Sequence, residues 1–343
     1  MRRLALIVFA STGCSGPYEV EDEHVYVDLA VSKAGVCAVD DERSLHCWGY
    51  TAANAPEGIF VTDVDMSGSE GCVLGGEGDL TCWGASPRGE VRDDLAARVV
   101  ATSVGIMAVG YDAVCWDGST TDPTCTALDG ETDVAPPAAG AGTESEVVAL
   151  AVAYEYACVL HAGGAGGCER APDAPEIPTE VSALFDVDDL VFIDAGGTST
   201  CVLDSAGQLA CAGARDDCDI DDGMAMGPCI DDWSPSGSWR DVATADSSCA
   251  VAADGTLVCH GDLYMCPAPE GTDYVRVALE PPDVCGLHAD GRISCTVNIA
   301  GIDVGPGSEH MTEDALDCQA GHPQALESAR CDNVDAHFET GPC

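Results

Sequence analysis

Pairs of cysteines ten residues apart recur along this 343-residue chain. The units that carry them share further positions, as the stretch from Cys72 to Gly84 shows. Val or Leu follows the first cysteine by two residues, Gly follows it by six in five units, and Leu or Ile follows it by eight in five units. Such self-similarity predicts a repeat architecture in which each unit is one supersecondary element. The six pairs are Cys37/Cys47, Cys72/Cys82, Cys158/Cys168, Cys201/Cys211, Cys249/Cys259 and Cys285/Cys295.

The spacing inside one unit predicts a tight antiparallel hairpin. Because side chains alternate across a strand, both cysteines and both aliphatic residues lie on one face of such a hairpin, and we expect that face to be buried. The Gly six residues after the first cysteine supplies the positive φ that a three-residue hairpin loop requires. Facing Cα atoms are within disulfide range, so we expect one disulfide in each hairpin. The alternative is a paired metal site, although no His or third Cys recurs with the unit.

A seventh, degenerate unit is predicted at Met107, which takes the place of the first cysteine and precedes Val114-Cys115-Trp116. Each unit follows another strand-like run, such as Val61 to Met66 or Val147 to Val152. Seven sheet units of about 40 residues predict an all-β fold, a seven-bladed β-propeller with intrablade hairpin disulfides. The longest insertions follow the third, fourth and fifth units, and we expect them to contact a partner.

The units resemble the repeats of the regulator-of-chromosome-condensation family. The run Trp83-Gly84-Ala85-Ser86-Pro87-Arg88-Gly89-Glu90-Val91 is similar to the end of that repeat, and the run from Cys249 to Gly261 is similar to its centre. The resemblance covers about residues 27–297 and implies a β-propeller. The family's His before the first cysteine is absent, and Trp-Gly follows the second cysteine only at Trp48-Gly49 and Trp83-Gly84. We carry over neither the nucleotide-exchange activity nor the chromatin binding of the founding member.

The N-terminal residues predict export and a lipid anchor. Arg2 and Arg3 precede an apolar run, Leu4 to Ala10, that is too short to span a bilayer. The run from Ser11 to Cys14 resembles the bacterial lipobox, in which the Cys carries the lipid and becomes the mature N-terminus. An ordinary secretory signal with a chance Cys is the alternative. The expected organisation is a signal peptide at 1–13, a tether at 14–26, the propeller at 27–300 and a Cys-stapled acidic C-terminal extension at 301–343.

Composition indicates the compartment in which the chain folds and excludes some classes of partner. Its 21 cysteines indicate an oxidising compartment. Its net charge of −47 argues against binding nucleic acid or an anionic membrane through charge, so we expect membrane contact only through the lipid at Cys14. Other cysteines lie in the insertions and the tail. Cys115/Cys125 and Cys218/Cys229 are local candidate pairs, whereas the pairing of Cys266, Cys318, Cys331 and Cys343 stays open.

Candidate chemistry is sparse. Carboxylates alternate at Asp217, Asp219 and Asp221 as in a calcium loop, but the EF-hand Gly is one position late and the closing Glu is missing. Calcium is therefore a weak candidate, and no other cofactor is expected. No catalytic motif and no recurring polar set is evident. Trp233 and Trp239, in the insertion after the fifth unit, are candidates for a binding surface, whereas Trp48, Trp83 and Trp116 are expected to pack within blades.

These observations predict an exported, lipid-anchored, monomeric propeller of the cell envelope or outer membrane. We expect it to bind an extracellular or envelope protein or a glycan and to have no catalytic activity. Two other classes stay open. One is a propeller-borne enzyme with an unrecognised site, and the other is a purely structural envelope component.

Overall fold

The computed structural model describes most of the chain between residues 24 and 296. The described residues are 18–19, 24–85, 91, 93–110, 113–117, 123–128, 146–154, 156–170, 176–197, 199–213, 233–245, 247–261, 268–269, 271–281, 283–296, 317–318 and 331–332.

Seven antiparallel sheets form the blades of a β-propeller, as the repeats predicted. Each blade has an inner strand, a middle strand and an outer strand. The inner strands are β2 (Tyr26–Ser32), β5 (Val61–Ser67), β9 (Ile106–Gly110), β12 (Val147–Val152), β15 (Leu190–Gly196), β18 (Trp239–Thr244) and β21 (Tyr274–Glu280). The middle strands are β3 (Gly35–Asp40), β6 (Glu70–Gly75), β10 (Ala113–Asp117), β13 (Tyr156–His161), β16 (Ser199–Asp204), β19 (Ser248–Ala252) and β22 (Asp283–His288). The outer strands are β4 (Leu45–Gly49), β7 (Leu80–Gly84), β11 (Thr124–Ala127), β14 (Gly166–Arg170), β17 (Leu209–Gly213), β20 (Leu257–His260) and β23 (Ile293–Thr296).

A few further elements complete or flank the blades. Strand β8 (Arg98–Ala101) adds a fourth strand to the second blade. A short helix, α1 (Thr179–Ala183), and a 3-10 helix at Leu184–Asp186 lie between the fourth and fifth blades, where Val181 and Leu184 are buried. Another 3-10 helix spans Tyr50–Asn54. No helix among the described residues is long and apolar enough to cross a membrane.

The middle and outer strands of every blade are joined by the predicted hairpin disulfide. Cys72 pairs in register with Cys82, and Leu74 pairs with Leu80, so the four side chains share one face as expected. The other blades repeat this register, and the bonded Cα atoms lie 3.9 to 4.1 Å apart. The seven bonds are Cys37–Cys47, Cys72–Cys82, Cys115–Cys125, Cys158–Cys168, Cys201–Cys211, Cys249–Cys259 and Cys285–Cys295.

The third unit begins at Cys115, and its predicted start at Met107 is wrong. Met107 lies on inner strand β9, opposite Trp116, whereas Cys115 begins the hairpin and bonds to Cys125. This hairpin lacks the aliphatic and glycine positions of the other units, since Asp117 follows Cys115 by two residues. The local pair Cys115/Cys125 was therefore predicted correctly, but it is the seventh member of the repeat.

Positive φ angles occur where the repeat predicted them. Glycines six residues after the first cysteine have φ between 77° and 86°, as at Gly207 (77°) and Gly255 (86°). In the first blade Arg43 takes the same place and still adopts a φ of 67°. The hairpin loop thus fixes the backbone, and Gly is the residue that adopts this conformation with least strain.

The two ends of the propeller meet at the junction of the seventh and first blades. Strand β1 (Tyr18–Glu19) pairs antiparallel with outer strand β23, with Tyr18 opposite Cys295. These two residues lie in the segment expected to be a tether, and they instead add a strand to the last blade. Across the junction, the Tyr26 backbone N–H donates to the Gly291 carbonyl at 3.0 Å. A strand from the N-terminal end thereby closes the ring.

Small aliphatic side chains and disulfides make up the core between adjacent blades. The middle strands are buried on both faces, as β3 and β13 show, because each blade is packed between two others. Trp48 and Trp83 are buried and Trp116 is partly buried, as predicted for blade packing. The Trp83 indole N–H donates to the Thr51 carbonyl at 3.1 Å.

In the C-terminal region, β24 (Asp317–Cys318) and β25 (Cys331–Asp332) pair antiparallel with Cys318 opposite Cys331. The remaining predicted positions of the chain lie outside the described residues. They are Cys14, Cys218, Cys229, Cys266 and Cys343, together with the calcium candidates Asp217, Asp219 and Asp221.

Candidate functional site

The seven inner strands surround a central cavity of about 310 Å³. Every blade contributes to its wall, from Leu29 in β2 to Glu280 in β21. Inner strands carry one free edge each, so their backbones and alternate side chains border the axis of the ring. This central channel is a concave feature that several charged side chains line, and such concavities are candidate positions for a site.

Charged side chains enter the channel at two register positions of the inner strands. One position lies opposite the first cysteine of the middle strand, and the other lies opposite the residue two places after it. Alanine occupies the first position in five blades. The charged residues are Asp65 and Asp194 at the first position, and Asp28, Asp63, Asp241 and Arg276 at the second.

Three of these carboxylates join one blade to the next. Asp65 Oδ2 accepts a hydrogen bond from the Val109 backbone N–H at 2.6 Å, across the second and third blades. Asp194 Oδ2 accepts one from the Thr244 N–H at 2.6 Å, across the fifth and sixth.

Asp241 Oδ2 accepts one from the Val277 N–H at 2.7 Å, across the sixth and seventh blades. In all three cases the donor is on the inner strand of the following blade. Each acid accepts this hydrogen bond in either protonation state, and the bond is about twice as strong when the carboxylate is ionised. The carboxylates therefore act as clamps between neighbouring inner strands.

An ion pair continues these contacts across the closing junction. The Arg276 guanidinium of the seventh blade donates to the Asp28 carboxylate of the first blade. Asp28 in turn lies near the Asp63 carboxyl of the second blade, and its charge raises the pKa of Asp63. Three successive blades are thus connected through polar side chains at the point where the chain ends meet.

The surroundings of the channel raise the pKa values of its aspartates. Burial raises the pKa of Asp65 and of Asp194 to about 7, with smaller contributions from neighbouring carboxylates. Burial and then the charge of Asp28 raise the pKa of Asp63 to about 7. Burial raises the pKa of Asp241 to about 6, against the opposing charge of Arg276. Burial works against the charge of Arg276, but the adjacent carboxylates of Asp28 and Asp241 outweigh it and raise the pKa of the guanidinium.

These raised pKa values predict that the protein is more stable at mildly acidic pH. Asp65 and Asp194 bind protons in the folded state up to about pH 7, whereas an unfolded Asp releases its proton near pH 4. The folded state therefore binds more protons between these values, and the free energy of unfolding falls as pH rises through about 7. We expect the melting temperature at pH 5 to exceed that at pH 8 by about 5 °C or more.

Two variants, each with one aspartate replaced by asparagine, test this expectation. Asp194→Asn should flatten the dependence of melting temperature on pH, because it removes one of the buried titrations. Asp188→Asn removes the same charge from an exposed position and should leave the slope unchanged. Equal slopes in the Asp194→Asn variant and the parent protein would contradict the role of the channel acids.

The sequence analysis found no recurring polar set, whereas the inner strands carry one in the channel. A signal was present, since aspartates stand at two inner-strand positions where other repeats carry Ala or another apolar residue. This signal becomes evident only when the inner strands are placed in register with the first cysteine of the middle strand, as the structure shows.

The predicted binding-surface residues do not form an open aromatic surface. Trp239 is only 8% exposed and begins inner strand β18, so its prediction as a surface residue is wrong. Its indole N–H donates to the Pro235 carbonyl at 3.2 Å. Trp233 forms an isolated bridge with Cys211 and stacks on His260, with ring centroids 5.4 Å apart. Both residues belong to the packing of the fifth and sixth blades.

The fold and its channel define the chain as a seven-bladed β-propeller protein. Comparison with protein-family models gives no match, and comparison with curated proteins gives none. Solved structures of similar fold include the CRINKLY WD40 ectodomain of the Arabidopsis thaliana receptor kinase ACR4. It is 16% identical, with a TM-score of 0.56 over 78% of this chain and 92% of that one.

Two other solved structures are similar to a comparable degree. Human WBSCR16 is 11% identical with a TM-score of 0.55, over 82% of this chain and 89% of that one. A structure of Kap60 bound to yeast RCC1 (Prp20) is 14% identical with a TM-score of 0.52, over 79% of this chain and 80% of that one. At these identities the similarity establishes the fold, and the last of them agrees with the resemblance seen in the repeats.

Proposed function

We propose that the chain is an exported, non-enzymatic β-propeller that binds a protein partner at the face where the inner strands begin. The seven hairpin disulfides support export, because such bonds persist in oxidising compartments. A lipid at Cys14 would hold the propeller at a membrane surface, as the lipobox-like run suggests. Among the solved propellers of similar fold, one is an ectodomain of a receptor kinase and another is bound to Kap60.

The observation that carries the proposal is a set of exposed apolar side chains at one end of the propeller. Several inner strands carry a bulge at their second residue, where the register shifts, as at Val27, Val148 and Val191. These bulged side chains are 37%, 43% and 56% exposed. Val148 and Val191, in adjacent blades, also line the channel at this end. Apolar side chains held in water around a concavity favour a protein contact.

Further apolar residues lie at the same end. Phe60 is 58% exposed and directly precedes β5, and Val25 and Val187 are exposed just before β2 and β15. Inner strands begin at the end where the disulfide hairpins turn, since Tyr26 lies opposite Asp40 at the end of β3. We call this end the hairpin face. It is the opposite end from the point where the long insertions leave the outer strands.

A protein partner fits this face better than a glycan does. Most of the exposed side chains at this face are valines, and Trp233 and Trp239, the aromatic residues expected to form a binding surface, are occupied in packing. The net charge of −47 repels acidic partners, so the partner we expect offers an apolar tip in a neutral or basic surround. The channel acids are engaged by neighbouring blades, which supports a bracing role for them and not a catalytic one.

Site-specific photo-crosslinking in the producing cells tests the proposal. A photoreactive phenylalanine analogue at Val148 or at Val191 should give one discrete protein adduct. Tyr154 is a matched position, 42% exposed but at the turn between β12 and β13 on the opposite face. Val148→Asp with Val191→Asp should abolish the adduct of a probe at Val27, whereas Val258→Asp on the side of a blade should not. An adduct at Tyr154 alone would favour the opposite end of the propeller, where the long insertions leave the outer strands. It would overturn the assignment to the hairpin face.

A further inference from the structure

A second polar cluster lies away from the channel, on the hairpin of the first blade. It consists of His24, just before β2, Asp40 at the end of β3, and His46 on β4. One ligand atom from each residue lies within 4.8 Å of the others. Asp40 Oδ2 is 3.2 Å from His24 Nδ1 and 2.8 Å from His46 Nε2.

The hairpin fixes the carboxylate of this cluster. The Asp40 side chain is only 1% exposed, and its other oxygen, Oδ1, accepts a hydrogen bond from the Ser44 N–H at 2.7 Å. The Asp40 N–H also donates to the Ser44 carbonyl at 3.0 Å. Oδ2 is therefore directed at the two imidazoles by contacts that do not involve them.

The two imidazoles are also positioned by their surroundings. The Asp41 N–H donates to the Val25 carbonyl at 2.8 Å, which holds the segment carrying His24 against the hairpin. The His46 ring packs edge-on against Tyr26, with centroids 5.6 Å apart, and lies 4.3 Å from the His24 ring. Three potential ligands thus converge from two separate segments of the chain.

We propose that His24, Asp40 and His46 bind a divalent transition-metal ion of the zinc type. Two imidazole nitrogens and one carboxylate oxygen are a ligand set that zinc uses, whereas calcium and magnesium prefer oxygen ligands alone. Ligands about 2.0–2.1 Å from a tetrahedral zinc ion stand roughly 3.3 Å from each other. The separations of Asp40 Oδ2 from the two imidazole nitrogens, 3.2 and 2.8 Å, are close to that value, and all three ligand atoms lie within 4.8 Å of one another, so side-chain adjustment admits the ion.

The geometry leaves one side of this site open. The His24 side chain is 44% exposed and the His46 side chain 26% exposed, so solvent reaches the cluster from the His24 side. A three-ligand site completes its shell with water or with a ligand atom from another molecule. The ion would also join the segment before β2 to the hairpin of the first blade. This inference is independent of the proposed protein partner.

Metal titration of the full chain tests the site. After chelator treatment and removal of the chelator, Zn²⁺ titrated by calorimetry should show one tight equivalent per chain, and Co²⁺ should give visible d–d bands typical of nitrogen ligands. His24→Ala and His46→Ala should each weaken Zn²⁺ binding at least about 10-fold and reduce the Co²⁺ bands. His24 is exposed, so its variant should keep the parent circular-dichroism spectrum.

The control removes histidines outside the cluster. His310→Ala, His322→Ala and His337→Ala together should leave the tight equivalent unchanged, which separates the cluster from weak binding by tail histidines and by the 60 acidic residues. Equal Zn²⁺ affinity in the parent and in the double variant His24→Ala/His46→Ala would overturn the proposal. Absence of a tight equivalent in the parent would overturn it as well, and the cluster would then be explained by the contacts of Asp40 with His24 and His46.

Discussion

Reduction of the seven hairpin disulfides is expected to unfold the propeller. Each bond closes a loop of about 11 residues, for which chain entropy gives roughly 2.5–3 kcal/mol, an upper value because native-state strain subtracts from it. The whole stability of a domain is about 5–15 kcal/mol. Even at half the entropic value, seven bonds are comparable to that total.

The remaining core does not offset such a loss. Aromatic residues make up only 5% of the chain, and the spaces between blades hold mainly Val, Leu, Ala and the disulfides themselves. Cys37, Cys72, Cys158 and Cys249 are fully buried, so their reduction places thiols at the centres of the blades. The disulfides therefore supply a large share of the stability of this propeller.

Thermal unfolding with and without a phosphine reductant measures this effect. The reduced protein should lose its cooperative transition, with thiol counting to establish complete reduction. Peptide mapping of the unreduced protein should find Cys72 joined to Cys82, Cys115 to Cys125 and Cys249 to Cys259. Cys201→Ala with Cys211→Ala removes a single bridge and should lower the free energy of unfolding by about 2–3 kcal/mol. An unchanged melting temperature after full reduction, or bridges between different blades, would contradict this account.

The hairpins were predictable because their register is local. The facing pair Cys72 and Cys82 follows from side-chain alternation over eleven residues, and the positive φ of Gly78 follows from a three-residue loop. Trp83 was assigned to packing for the same local reason. The third blade was misplaced because its hairpin keeps the cysteine spacing but lacks the aliphatic and glycine positions that identified the others.

The channel and the metal cluster depend on how distant segments come together. Asp194 contacts Thr244 only because the fifth and sixth inner strands are neighbours around the axis, and that geometry is absent from the repeat pattern. His24 and His46 show no metal-ligand spacing, since they meet through Asp40 on a hairpin. Ring closure by Tyr18 and Glu19 was not predictable either, because a two-residue strand leaves no periodic signal.

Loss of the Arg276 charge is expected to weaken the closing junction of the ring. Arg276 pairs with Asp28 and lies near Asp241 and Asp63, so Arg276→Met deprives these three carboxylates of its charge. Removing one partner of a buried ion pair typically costs about 3–5 kcal/mol. The Arg276 side chain is 42% exposed to the channel, so we expect a smaller loss of about 2 kcal/mol at pH 8.

The dependence of this loss on pH identifies its cause. Protonation removes the uncompensated charge from Asp63 and Asp241, whose pKa values are about 7 and about 6, so the variant should recover much of its stability at pH 5. Urea unfolding at both pH values measures the difference. Arg292→Met, which breaks an exposed pair with Asp290, should change stability by less than about 1 kcal/mol at either pH.

A second substitution separates charge from packing at the same junction. Asp28→Asn in the Arg276→Met background removes one unpaired carboxylate, so it should restore part of the stability at pH 8. In the parent background the same Asp28→Asn change breaks the ion pair and should destabilise the protein. Opposite signs in the two backgrounds are the signature of an ion pair that closes the ring, because a loss of packing would have the same sign in both. An equal loss for Arg276→Met at pH 5 and pH 8 would show that the guanidinium acts there through its stem and not through its charge.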